Sequence, residues 1–292
     1  MGTLRKYILK LKAGEGGEET FRGGADCMTP LDISFDVSYT VASEMKKGTV
    51  SVTGFSAERI ASYIGLSVFT PGDAAQKQMR LTLQAGYEDG GMVNILNGLV
   101  VSASQSAPPN KTLTMEVGEN WLIAGTRCSF GIEKDEQMTA LDAIQTMAGL
   151  FGLSFSEASC YCSDTSWLQE KVAIPVAERG VAELLELVRG LSKMSVCVCS
   201  GRICVYGLSD HTGKADGGTV SDADILAITG VNFEGCKVRT FLRDYGDVFP
   251  KVKIDSSYNK HVNGTYMVKG FRHVGQYYGQ PWWTEISCLR QR

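Results

Sequence analysis

Residues Gly264 to Cys288 are the segment that most narrows what this chain can fold into. They read as two strand-like runs, Gly264-Thr265-Tyr266-Met267-Val268-Lys269-Gly270-Phe271-Arg272-His273-Val274-Gly275 and Trp282-Trp283-Thr284-Glu285-Ile286-Ser287-Cys288. Between them lies Gln276-Tyr277-Tyr278-Gly279-Gln280-Pro281, whose Gly and Pro favour a loop over a helix. Two β-rich runs across such a loop specify an antiparallel hairpin. Side chains alternate across a strand, so Trp282 and Trp283 point to opposite faces. At most one fills its own core, and the other faces solvent or a partner. Enrichment of exposed aromatics at interfaces favours the partner.

The first 130 residues are also β-rich. Leu31 to Val41 alternates throughout, with β-branched and aromatic side chains on its apolar face, and is the clearest half-buried strand. Thr49–Phe55, Met79–Tyr87 and Leu113–Val117 are further strands. Ser56 to Ile64, with Ile60 and Ile64 four apart and Ser56 as cap, predicts a short helix. Glu88-Asp89-Gly90-Gly91 predicts a turn into Met92–Ser102, closing a hairpin. Residues near the start, Tyr7–Leu11 and the segment around Phe21, flank a glycine-rich tip.

From about 131 to 208 the period changes. Ala140, Leu141, Ile144, Ala148 and Phe151 fall at helical spacing, and Gly152 sits where a C-terminal glycine belongs. A second helix runs from about Val181 to Lys193, with Leu184, Leu185, Val188 and Leu191 on its buried face. Arg189 and Lys193 suit its C-terminal dipole. Ser195–Cys199 and Ile203–Tyr206 form a hairpin, and Val172–Ile174 is a possible short strand. His211 to Asp224 is glycine- and acid-rich and reads as a linker or loop. Ile225–Asn232, Cys236–Arg243, Val252–Ser256 and the closing hairpin supply the strands that follow. The fold class is mainly β with an α+β insert: a β-barrel domain over 1–130, a small α/β module over 131–208, and a second β-barrel domain over 209–292.

Bulk properties exclude several functions. The 292 residues suffice for a large core, and 43% hydrophobic with 21% charged residues is ordinary globular composition. A net charge of −3 without a basic stripe gives no signature of a primary nucleic-acid binder, although it does not forbid a pore through which DNA passes. The N-terminus lacks a signal-peptide apolar run, and the most apolar region, Met138 to Phe155, is interrupted by Asp142, Gln145 and Ser154, so no membrane segment is predicted. Folding in the cytosol is the expectation.

Catalytic signals are thin. Nine cysteines, an odd number, argue against a disulfide framework. Cys160/Cys162 and Cys197/Cys199 are C-x-C pairs rather than the usual zinc spacing. They can meet in space around a metal, but a small buried hydrophobe on a strand is the favoured role. His211, with Asp210 and Asp216 nearby, mimics part of a metal site, yet a solvated loop histidine fits its surroundings better. His273 is expected to hydrogen-bond the neighbouring strand or pack on Trp282 or Trp283. No nucleophile signature pairs a cysteine with His273 or His261. Ala13 to Glu19 lacks the Gly-Lys-Ser/Thr ending of a P-loop, and Glu18/Glu19 and Glu183/Glu186 read as solvated faces. No catalytic, cofactor-binding or metal residue is predicted. Tyr277, Tyr278, Trp282 and Trp283 are compatible with sugar stacking, which keeps a carbohydrate-binding module open.

The pattern Gly264-x-Tyr266-x-Val268, then His273-x-Gly275, a Gly-containing loop and Trp282-Trp283-Thr284-x-Ile286 resembles the closing hairpin of phage tail baseplate hub proteins, the late-control D and phage Mu-like hub group. Leu81 to Tyr87, carrying Ala85-Gly86-Tyr87, followed by Ile95-Leu96-Asn97-Gly98-Leu99-Val100, is similar to that family's first barrel, with Leu96 where an aromatic is usual. The resemblance implies two tail-tube-like barrels around an α+β module and a structural role for Ala85, Gly86, Tyr87, Gly98, Gly264, Tyr266, Val268, His273, Gly275, Trp282, Trp283 and Thr284. It further implies a homotrimeric, pseudo-six-fold ring that adapts the tail tube to the central spike. Tail tube, spike, tape measure and neighbouring baseplate proteins would be partners, and DNA would touch it only in transit. The location implied is the virion tail baseplate, after assembly in the host cytoplasm. A hub of a related contractile injection or secretion machine is the alternative within this class.

Overall fold

The computed structural model describes residues 4–13, 16–40, 46–67, 79–107, 111–119, 126–132, 138–199, 201–207, 216–245 and 250–290. The chain is mainly β. Its N-terminal half contains β1 (Arg5–Ala13), β2 (Glu18–Gly23), β3 (Asp32–Thr40), β4 (Lys47–Thr53), β5 (Met79–Tyr87), β6 (Met92–Gln105) and β7 (Thr112–Gly118), with helix α1 (Ala57–Ser67) between β4 and β5. The middle contains β8 (Cys128–Ile132), α2 (Ala140–Leu150), β9 (Cys160–Tyr161), β10 (Ile174–Arg179), α3 (Val181–Ser192), β11 (Ser195–Cys199) and β12 (Arg202–Tyr206). The C-terminal half contains β13 (Asp216–Ser221), β14 (Ile225–Thr229), β15 (Gly235–Phe241), β16 (Lys251–Asp255), β17 (Gly264–Gln276) and β18 (Trp282–Arg290).

Strict alternation makes β3 what it is. Ile33, Phe35, Val37 and Tyr39 are buried, while Ser34, Asp36 and Ser38 lie on the other face. The same logic builds β1 from Tyr7, Leu9 and Leu11, and β5 from Met79, Leu81, Leu83 and Ala85. Local chemistry fixes the helix ends. Ser56 Oγ accepts from the Arg59 N–H at the start of α1, and Thr139 Oγ1 accepts from the Asp142 N–H at the start of α2. Gly152, at φ +66°, ends α2 in the left-handed region. Glu183 accepts from the Gly180 N–H at the start of α3, and burial falls on Leu184, Leu185 and Val188, with Leu191 only half-buried.

Strands of both halves join one 13-stranded sheet, ordered β14-β15-β18-β17-β3-β4-β7-β6-β5-β1-β2, with β16 also on β17 and β13 on β16. The expected barrels are not closed by pairing: among the described residues the path is open, and the halves merge where β17 meets β3. The expected loop over His211–Asp224 is also corrected in part, because Asp216–Ser221 is β13, parallel to β16. Gly217 and Gly218 hide this strand in sequence, but Val220 is fully buried and anchors it. His211 itself, with Asp210, lies outside the described residues. The possible strand Val172–Ile174 begins later, as β10, and pairs with β8.

The two halves repeat one another. Strand order β3-β4-β7-β6-β5-β1 in the first is matched by β14-β15-β18-β17-β16-β13 in the second. Their irregularities match too. The β6–β7 ladder shifts register between Val100 and Ser102, and the β17–β18 ladder between Val268 and Gly270. In each case the long strand's pairing with its other neighbour stops one residue before the bulge, at Leu99 and at Met267. The repeat is not exact: β13 runs parallel to β16 whereas β1 is antiparallel to β5, and β2 has no counterpart.

Gly98 illustrates how tightly β6 and β7 approach. A Cβ there would lie 2.6 Å from the Gly118 carbonyl oxygen and 2.7 Å from its carbon, both backbone atoms that cannot rotate away. Gly98→Val is therefore expected to cost about 1–3 kcal/mol in urea unfolding, the usual range for overpacking; an unchanged midpoint would contradict this close approach.

Candidate assembly interface

The seam between the halves is built on β17, a strand long enough to serve both. Its residues Gly264–Met267 pair with β16, and Gly270–Gln276 pair with β3 on the same edge. At the changeover a Cβ on Gly270 would meet the Tyr39 carbonyl oxygen at 2.8 Å and the Thr40 Cα at 3.0 Å, so glycine lets β3 close in. Gly275 plays the corresponding part against side chains: a Cβ there would meet the Phe35 ring at 2.3 Å and Trp282 at 2.8 Å.

Trp282 shows how far the halves interlock. It belongs to the closing hairpin, yet it is buried in the core of β1–β7, edge-on to Phe35 with centroids 5.3 Å apart. Arg5 lies 5.3 Å over its ring and donates to the carbonyls of Gln276 and Gly279, tying β1 to the hairpin loop. Tyr87 adds a second tie. Its hydroxyl donates to the Trp282 carbonyl at 3.3 Å and accepts from the Leu242 N–H at 3.2 Å. Tyr87→Phe removes that acceptor and is expected to cost about 1–3 kcal/mol, the penalty of an unsatisfied buried amide, read from the denaturation midpoint. A cost near zero would mean that water replaces the hydroxyl.

His273 and Thr284 form the polar centre of the closing hairpin. His273 Nδ1 lies 2.9 Å from Thr284 Oγ1. That hydroxyl donates to the Arg243 carbonyl and accepts from the Arg243 N–H, each at 3.2 Å. Its single proton being used on the carbonyl, Nδ1 is the donor to Thr284, which fixes the neutral tautomer. Burial first, and the Lys46 ammonium second, push the imidazole down to about 3. His273 therefore acts as an uncharged strut. It packs against Phe271, at 4.8 Å between ring centroids, rather than on either tryptophan.

The α/β module docks through its cysteines. In β11 and β12, Val196, Val198, Ile203 and Val205 face the module's own core, while Cys197, Cys199, Cys204 and Tyr206 join the core of the C-terminal half. A small sheet buried on both faces needs compact apolar side chains on both, which explains this run of cysteines. Tyr39 reaches into the same junction, donating to the Val198 carbonyl at 2.7 Å. The Cys204 thiol is pushed up to about 12, first by its contact with Cys197, and so stays protonated at neutral pH. The nine cysteines are thiols rather than disulfide halves, and among the described residues no cluster of three or more His, Cys, Asp or Glu is placed to hold a metal.

The opposite face of the seam is polar. Arg272 grips Asp36 through Nε, at 2.8 Å, and through a second guanidinium nitrogen. Ser51 pairs with Thr114 at 3.0 Å and Thr53 with Thr112 at 2.8 Å. A groove of about 750 Å³ crosses this face, lined among others by Asp36, Lys47, Thr49, Glu116 and Arg272. Two acids against two bases leave it without a dominant charge. Trp283 stands on this side, under the Arg239 guanidinium at 4.2 Å. Tyr277 packs edge-on against Tyr7 on the core side, so it shares no stacking face with Trp283.

The sequence profile of the family described as Baseplate hub gp41 matches residues 20–288. The chain belongs to that family. Solved structures agree in fold. The hub chain is similar to the tail protein from Neisseria meningitidis MC58, with TM-score 0.57, 9% identity, and 97% of this chain and 96% of that one covered. The 43 kDa tail protein of prophage MuSo2 from Shewanella oneidensis gives TM-score 0.59 and 9% identity over 97% and 98% of the two chains. The E. coli c3393 protein, a type VI secretion system component with structural similarity to T4 tail proteins gp27 and gp5, gives TM-score 0.52 and 9% identity over 97% and 77%. No curated protein matches the chain. The family is a structural one of the viral tail baseplate, not a family of enzymes.

Of the residues singled out by resemblance, the structure gathers Tyr87, Gly275 and Trp282 at the seam and His273 with Thr284 beside it. Ala85 and Gly86 lie in the β5–β6 hairpin, Gly98 at the β6–β7 approach, and Trp283 on the outer face. Gly264, Tyr266 and Val268 belong to the start of β17, where the Tyr266 hydroxyl donates to the Val262 carbonyl at 2.7 Å. Arg5, Phe35, Tyr39 and Gly270 were not anticipated. Only Phe35 and Tyr39 carried a signal, as inward positions of an alternating strand.

Proposed function

We propose that this hub chain forms a trimeric ring in which each copy supplies two quasi-equivalent β units, residues 1–130 and 209–292, with 131–208 as a docked module. The six units together would match a six-fold tail tube on one side and a three-fold central spike on the other. The lumen would admit the tape measure protein and later DNA. Assembly in the host cytoplasm and contacts with neighbouring baseplate proteins belong to the same reading.

The observation that carries it is the repeated strand order within one chain, bulges included, in a member of a baseplate hub family. Two similar units per chain are what a three-copy ring needs to present six-fold pseudo-symmetry. Likeness in fold to a chain of the Francisella PdpA–VgrG complex, TM-score 0.54 and 8% identity over 98% of this chain and 58% of that one, supports a spike as partner and keeps the secretion-machine hub as second reading.

Mass photometry across a concentration series, with negative-stain images of the heaviest species, tests the ring. Three-fold particles with six lobes and an open centre are expected. A chain that stays monomeric even when mixed with its spike would sink the proposal.

A further inference from the structure

Two pairs of cysteines stand directly opposite each other across neighbouring strands: Cys197 with Cys204 in β11–β12, and Cys236 with Cys288 in β15–β18. The first pair sits between two cores, and its Cys204 thiol stays protonated at neutral pH. The second pair is set differently. Cys236 and Cys288 are 4% and 2% exposed and face the C-terminal core. Two residues along the ladder, the Arg290 N–H donates to the Glu234 carbonyl at 2.7 Å. Alternation then makes Cys236 and Cys288 a mutually hydrogen-bonded pair, for which about 5.5 Å between Cα atoms is usual. Disulfides span about 4.4–6.8 Å between Cα atoms, so a bond here leaves the strands in place.

The two thiols are also unequal. Cys288 donates to Cys236, and the Arg290 guanidinium and Tyr266 hydroxyl lie beside it, which lowers the Cys236 thiol against the upward pull of burial. The same contact holds Cys288 well above the usual thiol range. Position in the sheet adds access. β15 is one strand from the end of the sheet path, flanked there by β14, whose side chains are half-buried or exposed. Cys236 itself follows closely on the exposed run 231–234.

We propose that Cys236 and Cys288 are a redox modification site, a dithiol in the folded chain that a peroxide converts into a cross-strand disulfide. The Cys236 thiolate attacks one peroxide oxygen, the O–O bond breaks, hydroxide leaves, and Cys236 becomes a sulfenic acid. The Cys288 sulfur then displaces that hydroxyl, which departs as water with the Cys288 proton. Two thiols and one hydrogen peroxide give one disulfide and two waters, with two electrons passing from sulfur to oxygen. The bond staples β15 to β18 and closes the chain around β16 and β17, which restrains the unfolded state. Thiols stay reduced in the cytosol and oxidise outside it. The timing therefore rests on the proposed assembly in the host cytoplasm: the chain folds as a thiol protein and is stapled after release. The bond itself does not depend on that reading.

Thiol counting on the full chain tests this. The native protein is treated with a small excess of hydrogen peroxide at neutral pH, unfolded in N-ethylmaleimide and mapped by mass spectrometry. Two of the nine cysteines should escape labelling. A peptide pair joined through Cys236 and Cys288 should appear, and should vanish with dithiothreitol. In Cys288→Ser the reaction should stop at a Cys236 sulfenic acid, which dimedone captures. In Cys236→Ser, Cys288 should give no such adduct. Oxidised wild type should unfold at higher urea than reduced, and a lower midpoint would overturn the staple. Retention of all nine labels, or a bond through Cys197 and Cys204 instead, would overturn the site. Mass photometry of the same samples reads the ring separately. A trimer without the bond overturns this site alone, whereas a bonded chain that stays monomeric even with its spike overturns the ring and upholds the site.

Discussion

Replacing Trp282 by alanine is expected to destabilise the fold by about 3–5 kcal/mol, the range for removing a large buried aromatic. Trp282 is 4% exposed, is wedged against Phe35, and sits beneath Arg5. Its loss opens a cavity in the N-terminal core from a residue supplied by the C-terminal hairpin, so both halves should feel it. Trp283→Ala is the internal comparison. That ring lies on the outer face under Arg239, where a cation–π contact is worth about 0.5–1 kcal/mol. Urea unfolding of the two variants should therefore differ by several-fold in cost. Equal costs would mean that the strand does not divide its tryptophans between a core and a surface.

Acidification should weaken the protein through His273. In the unfolded chain the imidazole titrates near 6.5. In the fold it is pushed down to about 3, by burial first and then by Lys46. Above about pH 6.5 both states hold it neutral and nothing is lost. As the pH falls from there towards 3, the unfolded chain binds a proton that the fold refuses. Stability then declines by about 1.4 kcal/mol per pH unit from this group, or about 2 kcal/mol by pH 5. Carboxylates add slopes of their own, so the diagnostic is the difference between wild type and His273→Gln, which keeps an uncharged donor for Thr284. Parallel stability–pH curves for the two proteins would remove His273 as the source.

Much of this architecture was legible because it rests on local alternation. Ile33, Phe35, Val37 and Tyr39 mark β3 without reference to any other strand, and the helical spacing of Leu184, Leu185 and Val188 marks α3. The turn at Glu88–Gly91 and the left-handed Gly152 are equally local. What could not be read was the destination of each buried face. Nothing in the residues around Trp282 says that its core belongs to the other half. Nothing around Cys197 and Cys204 says that their side of the hairpin meets a second core while Val196 and Val198 fill the first. β13 was hidden for a different reason: two glycines dilute its pattern, and one buried valine holds it in place. The seam contacts of Arg5 and Gly270 depend on chain positions far apart in sequence, beyond the reach of any window-based pattern.

The shared strand has a mechanical consequence. Seven successive residue pairs, Gly270–Gln276 against Ser34–Thr40, hold the two halves edge to edge. A pull along these strands must break that ladder all at once, in shear, because its hydrogen bonds lie across the load. A pull at right angles meets them one at a time and opens the seam like a zip, starting from either end. The seam is thus stiff to a load in one direction and yielding to a load in the other. The direction of greatest strength is written into the backbone of a single strand.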